Sequence, residues 1–361
     1  MHKYCLAAFL FLLATPSILA QHGPSAPNDA GLLLGLHSQG LKRDIYRTFW
    51  ITLRKDALKV DEVPGLLVPT SHGFVWIGHY FVLTDTDEEV PEWAEEVGTV
   101  AESLWVRPGS DTSKVSIKAE DKRRPIGDDA HCSEETEEIA FVGPKFATIH
   151  QAEYNECGAH PSGSSLAFTA RLADLAADRE NPLVLSTAEL LGQQGEKAVK
   201  KDEAAAQDDD CPFNDTFPAS VTVIRKNGHW VLKGTQSASH ACGDIQEFDI
   251  HMPPPKSLVG LNMLFPTWKH IGAKVPDAVD AISSPYKDFL VVLTLEDIKI
   301  YRMHNGELGP PVRTIHLWLS KDDTRDATHT LVMNQWALGR FVSAWDEEVK
   351  RQKGLRQSDQ P

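Results

Sequence analysis

Two pairs of cysteines, Cys132 with Cys157 and Cys211 with Cys242, each bracket a segment patterned as a β-hairpin. In the first, Ile139, Phe141 and Val142 lead to a turn at Gly143-Pro144, and Phe146 and Ile149 return. In the second, Val221, Val223 and Ile224 lead to Asn227-Gly228, a pair suited to the positive φ angles of a tight hairpin turn, and Trp230, Val231 and Leu232 return. Each cysteine stands near its partner's mirror position across a turn, which is what a local disulfide requires. Gly follows the second cysteine in both brackets, and a third alternating strand comes next, from Leu166 to Leu172 in one and through Phe248, Ile250 and Met252 in the other. The pattern predicts two copies of one three-stranded antiparallel meander.

The same residues have a competing use. Cys157, His160, His240 and Cys242 offer the two thiolates and two imidazoles of a tetrahedral zinc centre. In an exported chain an even number of cysteines is better read as disulfides, each worth about 3 kcal/mol for loops of this length. Four cysteines still allow three connectivities.

Export is read from the N-terminus: His2 and Lys3, an apolar core from Cys5 to Leu13, then Pro16 and a small residue at Ala20. This pattern predicts a signal peptide over 1–20, which removes Cys5, and a periplasmic or secreted product with no transmembrane anchor after cleavage. The whole chain carries a formal charge of −15. Nucleic acid is therefore an unsuitable partner, because phosphate contacts need clustered Lys and Arg. Acid is densest at Asp85, Asp87, Glu88, Glu89, Glu92, Glu95 and Glu96, and again at Asp208 to Asp210. Neither run has the alternating ligands and central glycine of an EF-hand loop, so both read as solvated surface.

Further hairpins recur without cysteines: Leu66 to Val68 turning near His72-Gly73 into Phe74 to Ile77, and Phe289 to Leu293 turning near Glu296-Asp297 into Ile298 to Tyr301. The segments 84–103 and 173–210 are rich in Ala, Glu, Lys and Leu and read as short helical or mobile insertions, with 193–210 exposed. Ile45 to Leu53 alternates as a strand, and Leu331 to Trp336 and Arg340 to Trp345 offer late partners for an early strand. The expected organisation is one β-rich domain over 21–348 followed by a frayed polar tail over 349–361.

The run Ala281-Ile-Ser-Ser-Pro-Tyr-Lys-Asp-Phe-Leu-Val-Val-Leu-Thr294, with Ile298 to Tyr301, Asn305-Gly306 and Val312 to Ile315, resembles a blade of a β-propeller of the WD40 or lactonase-like kind. That resemblance, confined mainly to 281–318, implies an all-β, propeller-like fold of repeated meanders. A β-sandwich is the alternative architecture. The matching positions are structural, so no site residue follows from the likeness.

Catalytic signatures are lacking: no Gly-x-Ser-x-Gly elbow, no His-Glu-x-x-His, no Gly-rich phosphate loop. Ser162, Ser164 and Ser165 near His160 read as a Gly-Ser loop, and His229, His251 and His316 as strand residues. Trp230, Trp268, Trp318, Trp336 and Trp345 can either fill a core or line a carbohydrate or peptide groove. Asn214-Asp215-Thr216 matches a glycosylation acceptor. The expectation is a non-catalytic binding or scaffold module for a protein, peptide or carbohydrate, without catalytic residues or cofactor. The rival is an exported hydrolase or metal-dependent enzyme with a site assembled from distant loops.

Overall fold

The structure, a computed structural model, describes residues 29–39, 44–54, 57–71, 73–83, 100–108, 133–155, 162–177, 184–207, 213, 219–237, 245–317 and 328–357. The signal segment, all five cysteines, His160, His240, His72, Trp318, both acidic runs and Asn214 to Thr216 lie outside the described residues.

The chain is mostly strand. β1 (Ala30–Gln39), β2 (Asp44–Arg54), β3 (Ala57–Pro64), β4 (Leu66–Thr70), β5 (Gly73–Leu83), β6 (Val100–Pro108), β7 (Ser133–Val142), β8 (Phe146–Asn155) and β9 (Ser162–Arg171) come first. Helices α1 (Leu172–Ala177) and α2 (Thr187–Ala206) separate them from β10 (Ser220–Lys226), β11 (His229–Ser237) and β12 (Ile245–Asp249). Short helices α3 (Lys256–Val259) and α4 (Trp268–Lys274) precede β13 (Ala278–Ser283), β14 (Phe289–Thr294), β15 (Asp297–His304) and β16 (Glu307–His316). β17 (Thr328–Leu338) and α5 (Arg340–Gln357) close the described chain.

Among the described residues these strands form sheets of ten, three and four members. The three-stranded sheet is the meander β10-β11-β12, turning at Asn227 (φ 52°) and Gly228 (φ 81°) as its sequence predicts. β7-β8-β9 is likewise an antiparallel meander, but it belongs to the ten-stranded sheet. The four-stranded sheet β13-β14-β15-β16 covers most of the segment that resembles a blade. Sheets of such unequal size make no closed propeller ring among the described residues. The outer strand of the four, β16, is largely exposed and carries Pro310 and Pro311, which lack the N–H a further strand would need.

β1 organises the ten-stranded sheet. Its residues are buried at every position except the last, so neither face meets water. Leu32, Leu34 and Leu36 join Phe49, Ile51, Trp230 and Phe289 in one core, while Leu33 joins Trp50, Leu67 and Met333 in another. Burial of each such side chain contributes about 1.5–3 kcal/mol. β1 is hydrogen-bonded between β2 and β17, both antiparallel. A late strand therefore does pair with an early one, but the early partner is 30–39 rather than 45–53.

The ends of the ten-stranded sheet's main path, β3 and β4, are two halves of one bent strand. Gly65 alone separates them, at φ +74°. Its N–H donates to the Tyr46 carbonyl at 2.8 Å, and its carbonyl accepts from Thr48 Oγ1 at 2.7 Å. Thr48 Oγ1 in turn accepts from the Leu67 N–H at 2.9 Å. The path β3-β2-β1-β17-β7-β6-β5-β4 thus returns on itself through a single residue.

The helices correct two expectations. After Gly339 (φ 57°), whose N–H donates to the Asp29 carbonyl, α5 runs from Arg340 to Gln357 where a strand over 340–345 and a frayed tail over 349–361 were expected. Val342 and Val349 are fully buried, and Trp345 packs on Trp50 and Phe74. Asp346 accepts from Trp50 Nε1 and Lys59 Nζ, both at 3.2 Å, and Lys353 reaches Asp61 at 2.7 Å. The described parts of the 173–210 insertion are mainly helical, as expected, but its polar part is not wholly exposed. α2 starts with a capping box at Ser186 and Glu189 and buries Val199. The described end of the 84–103 insertion, from Val100, is strand. No helix among the described residues is long and apolar enough to cross a membrane.

Candidate functional site

The second meander sets the open edge of β10 on the face of β8 and β9. Thr148 on β8 and Thr169 on β9 stand directly opposite and share a 2.9 Å hydrogen bond. Thr169 Oγ1 donates to the Val221 carbonyl at 2.7 Å, and Thr148 Oγ1 accepts from the Val223 N–H at 3.2 Å. Two hydroxyls therefore satisfy backbone groups of β10 on the edge that β11 leaves open. Next along the same face come His150 and Ala167, another direct pair, and Thr235 of β11 donates to the Ala167 carbonyl at 3.2 Å.

Beyond this seam the sheets part, leaving a groove of about 400 Å³. One wall is built from Glu138, His150, Gln151, Ala152, Ser165, Leu166 and Ala167; the other contributes Thr235 and its cross-strand partner Glu247. Each wall thus carries one carboxylate. His150 is opposite Glu138 in the β7-β8 register, yet its Nε2 is buried without a hydrogen-bond partner. No hydrogen bond joins His150 to Glu138 or Ser165 among the described residues, so the groove contains no assembled proton relay of nucleophile, base and orienting acid.

Glu138 also reaches behind the groove. Its Oε1 lies 3.0 Å from Nδ1 of His37, a side chain only 2% exposed. The His37 ring stacks on Tyr46 at 4.7 Å, and the Tyr46 hydroxyl accepts from the Ile139 N–H at 2.8 Å. Beside them, Ser38 Oγ accepts from Arg47 and contacts His329 Nδ1 at 2.8 Å. Arg47 also donates to the Leu317 carbonyl and pairs with Glu62, while burial lowers its pKa. Ser38 is fully buried and its oxygen already has two polar neighbours, which removes it as a nucleophile open to substrate.

His329 is held at a pKa of about 4, first by burial and then by the charges of Arg47 and His37. The folded chain therefore takes up this proton later than the unfolded chain, whose His titrates near 6.5. Stability from this group is complete above about pH 6.5 and falls as pH drops toward 4. His229, lowered by burial and then by Arg225, adds to the fall with the same sign. Urea midpoints measured from pH 7 to 4.5 are expected to decline, and His329→Gln to flatten that decline. An unchanged slope in the variant rejects the assignment.

Of the two uses open to the tryptophans, those described take the packing one and form no aromatic groove. Trp230 donates to Asn334 Oδ1 at 2.7 Å and meets Phe141 edge-on; Trp336 packs on Phe289; Trp345 lies against Trp50; Trp268 packs beside Ile271 and Tyr301. His251 pairs with Asp202, and His316 with Asp297, as surface contacts. Ser162 and Ser164 belong to β9 rather than to a loop, and Ser165 lines the groove. The zinc set Cys157, His160, His240 and Cys242 lies outside the described residues, and among those described no group of three or more His, Cys, Asp or Glu is placed to hold a metal. Glu138, His150 and Glu247, which define the groove, escaped the sequence reading; their only signal was position on the strands flanking two predicted turns. No known protein family matches the chain, and no curated protein is significantly similar to it in sequence.

Proposed function

We propose that the chain is an exported, disulfide-stabilised β-repeat module that binds a ligand in this groove without transforming it. What carries the reading is the pairing of an open groove, with a carboxylate on each wall, and a His150 whose buried Nε2 meets no hydrogen-bond partner. Such a lining can hold a polar ligand but has no relay with which to activate water. We read β7-β8-β9 and β10-β11-β12 as two uses of one meander packed in the manner of a sandwich, and β13 to β16 as the unit bearing the propeller-blade likeness.

Register supports the disulfide proposal: Ser133 pairs with Asn155, and in the sequence Cys132 precedes the first by one residue and Cys157 follows the second by two. Thiol titration of the denatured, unreduced chain lacking 1–20 is expected to find essentially no free thiol; four reactive thiols reject the brackets.

The binding reading is tested with thermal-shift screening of short peptides and oligosaccharides against the wild type and Ala152→Trp, which fills the groove. Hits are expected on the wild type alone and to be recovered unchanged. Conversion of a bound compound to product overturns the non-catalytic assignment, and equal binding by Ala152→Trp overturns the site.

A further inference from the structure

We infer that the open edge of β9 along the groove receives an extended segment of a partner polypeptide, which adds to the sheet as a further strand. This rests on the binding reading above and names the class of ligand. Among the described strands β9 pairs with β8 alone, so it is an edge of the ten-stranded sheet. In an antiparallel ladder successive residues turn their N–H and C=O groups alternately toward the neighbouring strand and away from it. The β8-β9 register runs without a shift from Phe146 opposite Arg171 to Asn155 opposite Ser162, so the alternation holds along the whole strand.

Three hydrogen bonds fix its phase. The Leu172 N–H donates to the Lys145 carbonyl at 2.9 Å, on the β8 side. The Thr169 carbonyl accepts from the Leu185 N–H at 3.1 Å and the Ala167 carbonyl from Thr235 Oγ1 at 3.2 Å, both on the far side. Ser165 and Gly163, two and four residues further on, therefore also point away from β8. Val184, which bridges Ala170, and Thr235 cover the edge as far as Ala167. Among the described residues no hydrogen bond reaches the outward N–H and C=O groups of Ser165 or Gly163. Donors and acceptors in this regular alternation are matched by another extended backbone.

The side chains beside the edge fit a narrow strand. Ala152, directly opposite Ser165, and Ala167 keep the face toward Thr235 and Glu247 small. Leu166 is turned to the opposite face and is 46% exposed. An added strand places every second side chain beside Leu166 and covers it, so a segment with apolar residues at alternate positions is favoured. A single segment can enter a groove of about 400 Å³, whereas a second copy of this chain would bring its own Thr235 and Glu247 wall against this one.

The test uses fluorescence anisotropy of labelled, end-blocked Thr-Val-Thr-Val-Thr, Thr-Leu-Thr-Leu-Thr and Thr-Phe-Thr-Phe-Thr on the full chain without 1–20. Binding of at least one is expected. Ser165→Pro removes an outward N–H while leaving the bonds to β8, and should weaken that binding about tenfold; Ser165→Ala, which keeps the N–H, should leave it unchanged. A second measurement leaves the protein untouched: the bound peptide is methylated on its threonine nitrogens or, separately, on its apolar residues' nitrogens. One peptide should lose binding and the other keep it, because an added strand bonds to β9 through one edge. Unchanged binding in a folded Ser165→Pro, or equal behaviour of the two methylated peptides, overturns the inference. If oligosaccharides bind and none of these peptides does, strand addition fails and the binding module survives; if neither class binds, both fail. A dimer in sedimentation that Ser165→Pro dissolves, without peptide binding, gives the edge to a second copy and overturns the partner.

Discussion

Replacing Asp280 by Ala is expected to lower the unfolding free energy by about 3–5 kcal/mol, because it strands a buried arginine. Arg225 on β10 meets Asp280 on β13 through two hydrogen bonds of 2.8 Å, and the two side chains are only 6% and 8% exposed. The carboxylate also accepts from the Gly228 N–H at 3.1 Å and the Ala281 N–H at 2.8 Å. Arg225 further donates to the Ala281 carbonyl and lies over the Trp230 ring at 4.8 Å. One ion pair therefore fastens the three-stranded sheet to the four-stranded sheet and steadies the Asn227-Gly228 turn. Urea unfolding followed by tryptophan fluorescence measures the loss. Arg225→Met combined with Asp280→Leu should recover much of it, since no charge is then left buried and alone. A loss below about 1 kcal/mol in Asp280→Ala would show that water reaches the pair.

Gly65→Ala is expected to cost about 3 kcal/mol. The left-handed backbone there penalises any side chain by about 1–2 kcal/mol, and overpacking adds about 1–3 kcal/mol. A Cβ at this position would lie 2.4 Å from Trp76 Nε1, while that same indole donates to the Pro64 carbonyl at 2.8 Å. The ring cannot move aside without losing its hydrogen bond. Gly73→Ala is the control: it too has positive φ, at 119°, but a Cβ there meets nothing within 4 Å. The two thermal midpoints should separate clearly, with Gly65→Ala lower. Equal midpoints would leave backbone strain alone as the cause.

What the sequence disclosed follows from how locally each element is determined. Asn227-Gly228 sets a turn by its own φ angles, so β10 and β11 could be read from a few residues. β1 could not. Its Leu32-Leu33-Leu34 run shows no alternation because both faces are buried, and a continuous apolar run does not by itself distinguish a strand from a helix. α5 was missed for the opposite reason: Val342, Val349 and Gln352 are buried on one side of an otherwise polar segment that read as a short strand followed by a tail. The groove was least accessible of all. Glu138, His150 and Ser165 come together through two strand registers, and Glu247 joins them only because the β10-β11-β12 sheet packs across that surface. Acidic residues are too common in this chain for composition to single out those two.

The central position of β1 also constrains when the protein can fold. Ala30 pairs with Leu338 and Gln39 with Thr328, so the strand that divides the two hydrophobic cores gains one of its neighbours only after residue 328 has been made. A ribosome must have delivered the chain through residue 338 before that ladder can close, so roughly 300 residues separate its two strands. Until then the leucines of β1 remain uncovered along one side. Assembly is thus expected to follow synthesis, and a nascent chain stalled before residue 328 should expose apolar surface that a chaperone can hold.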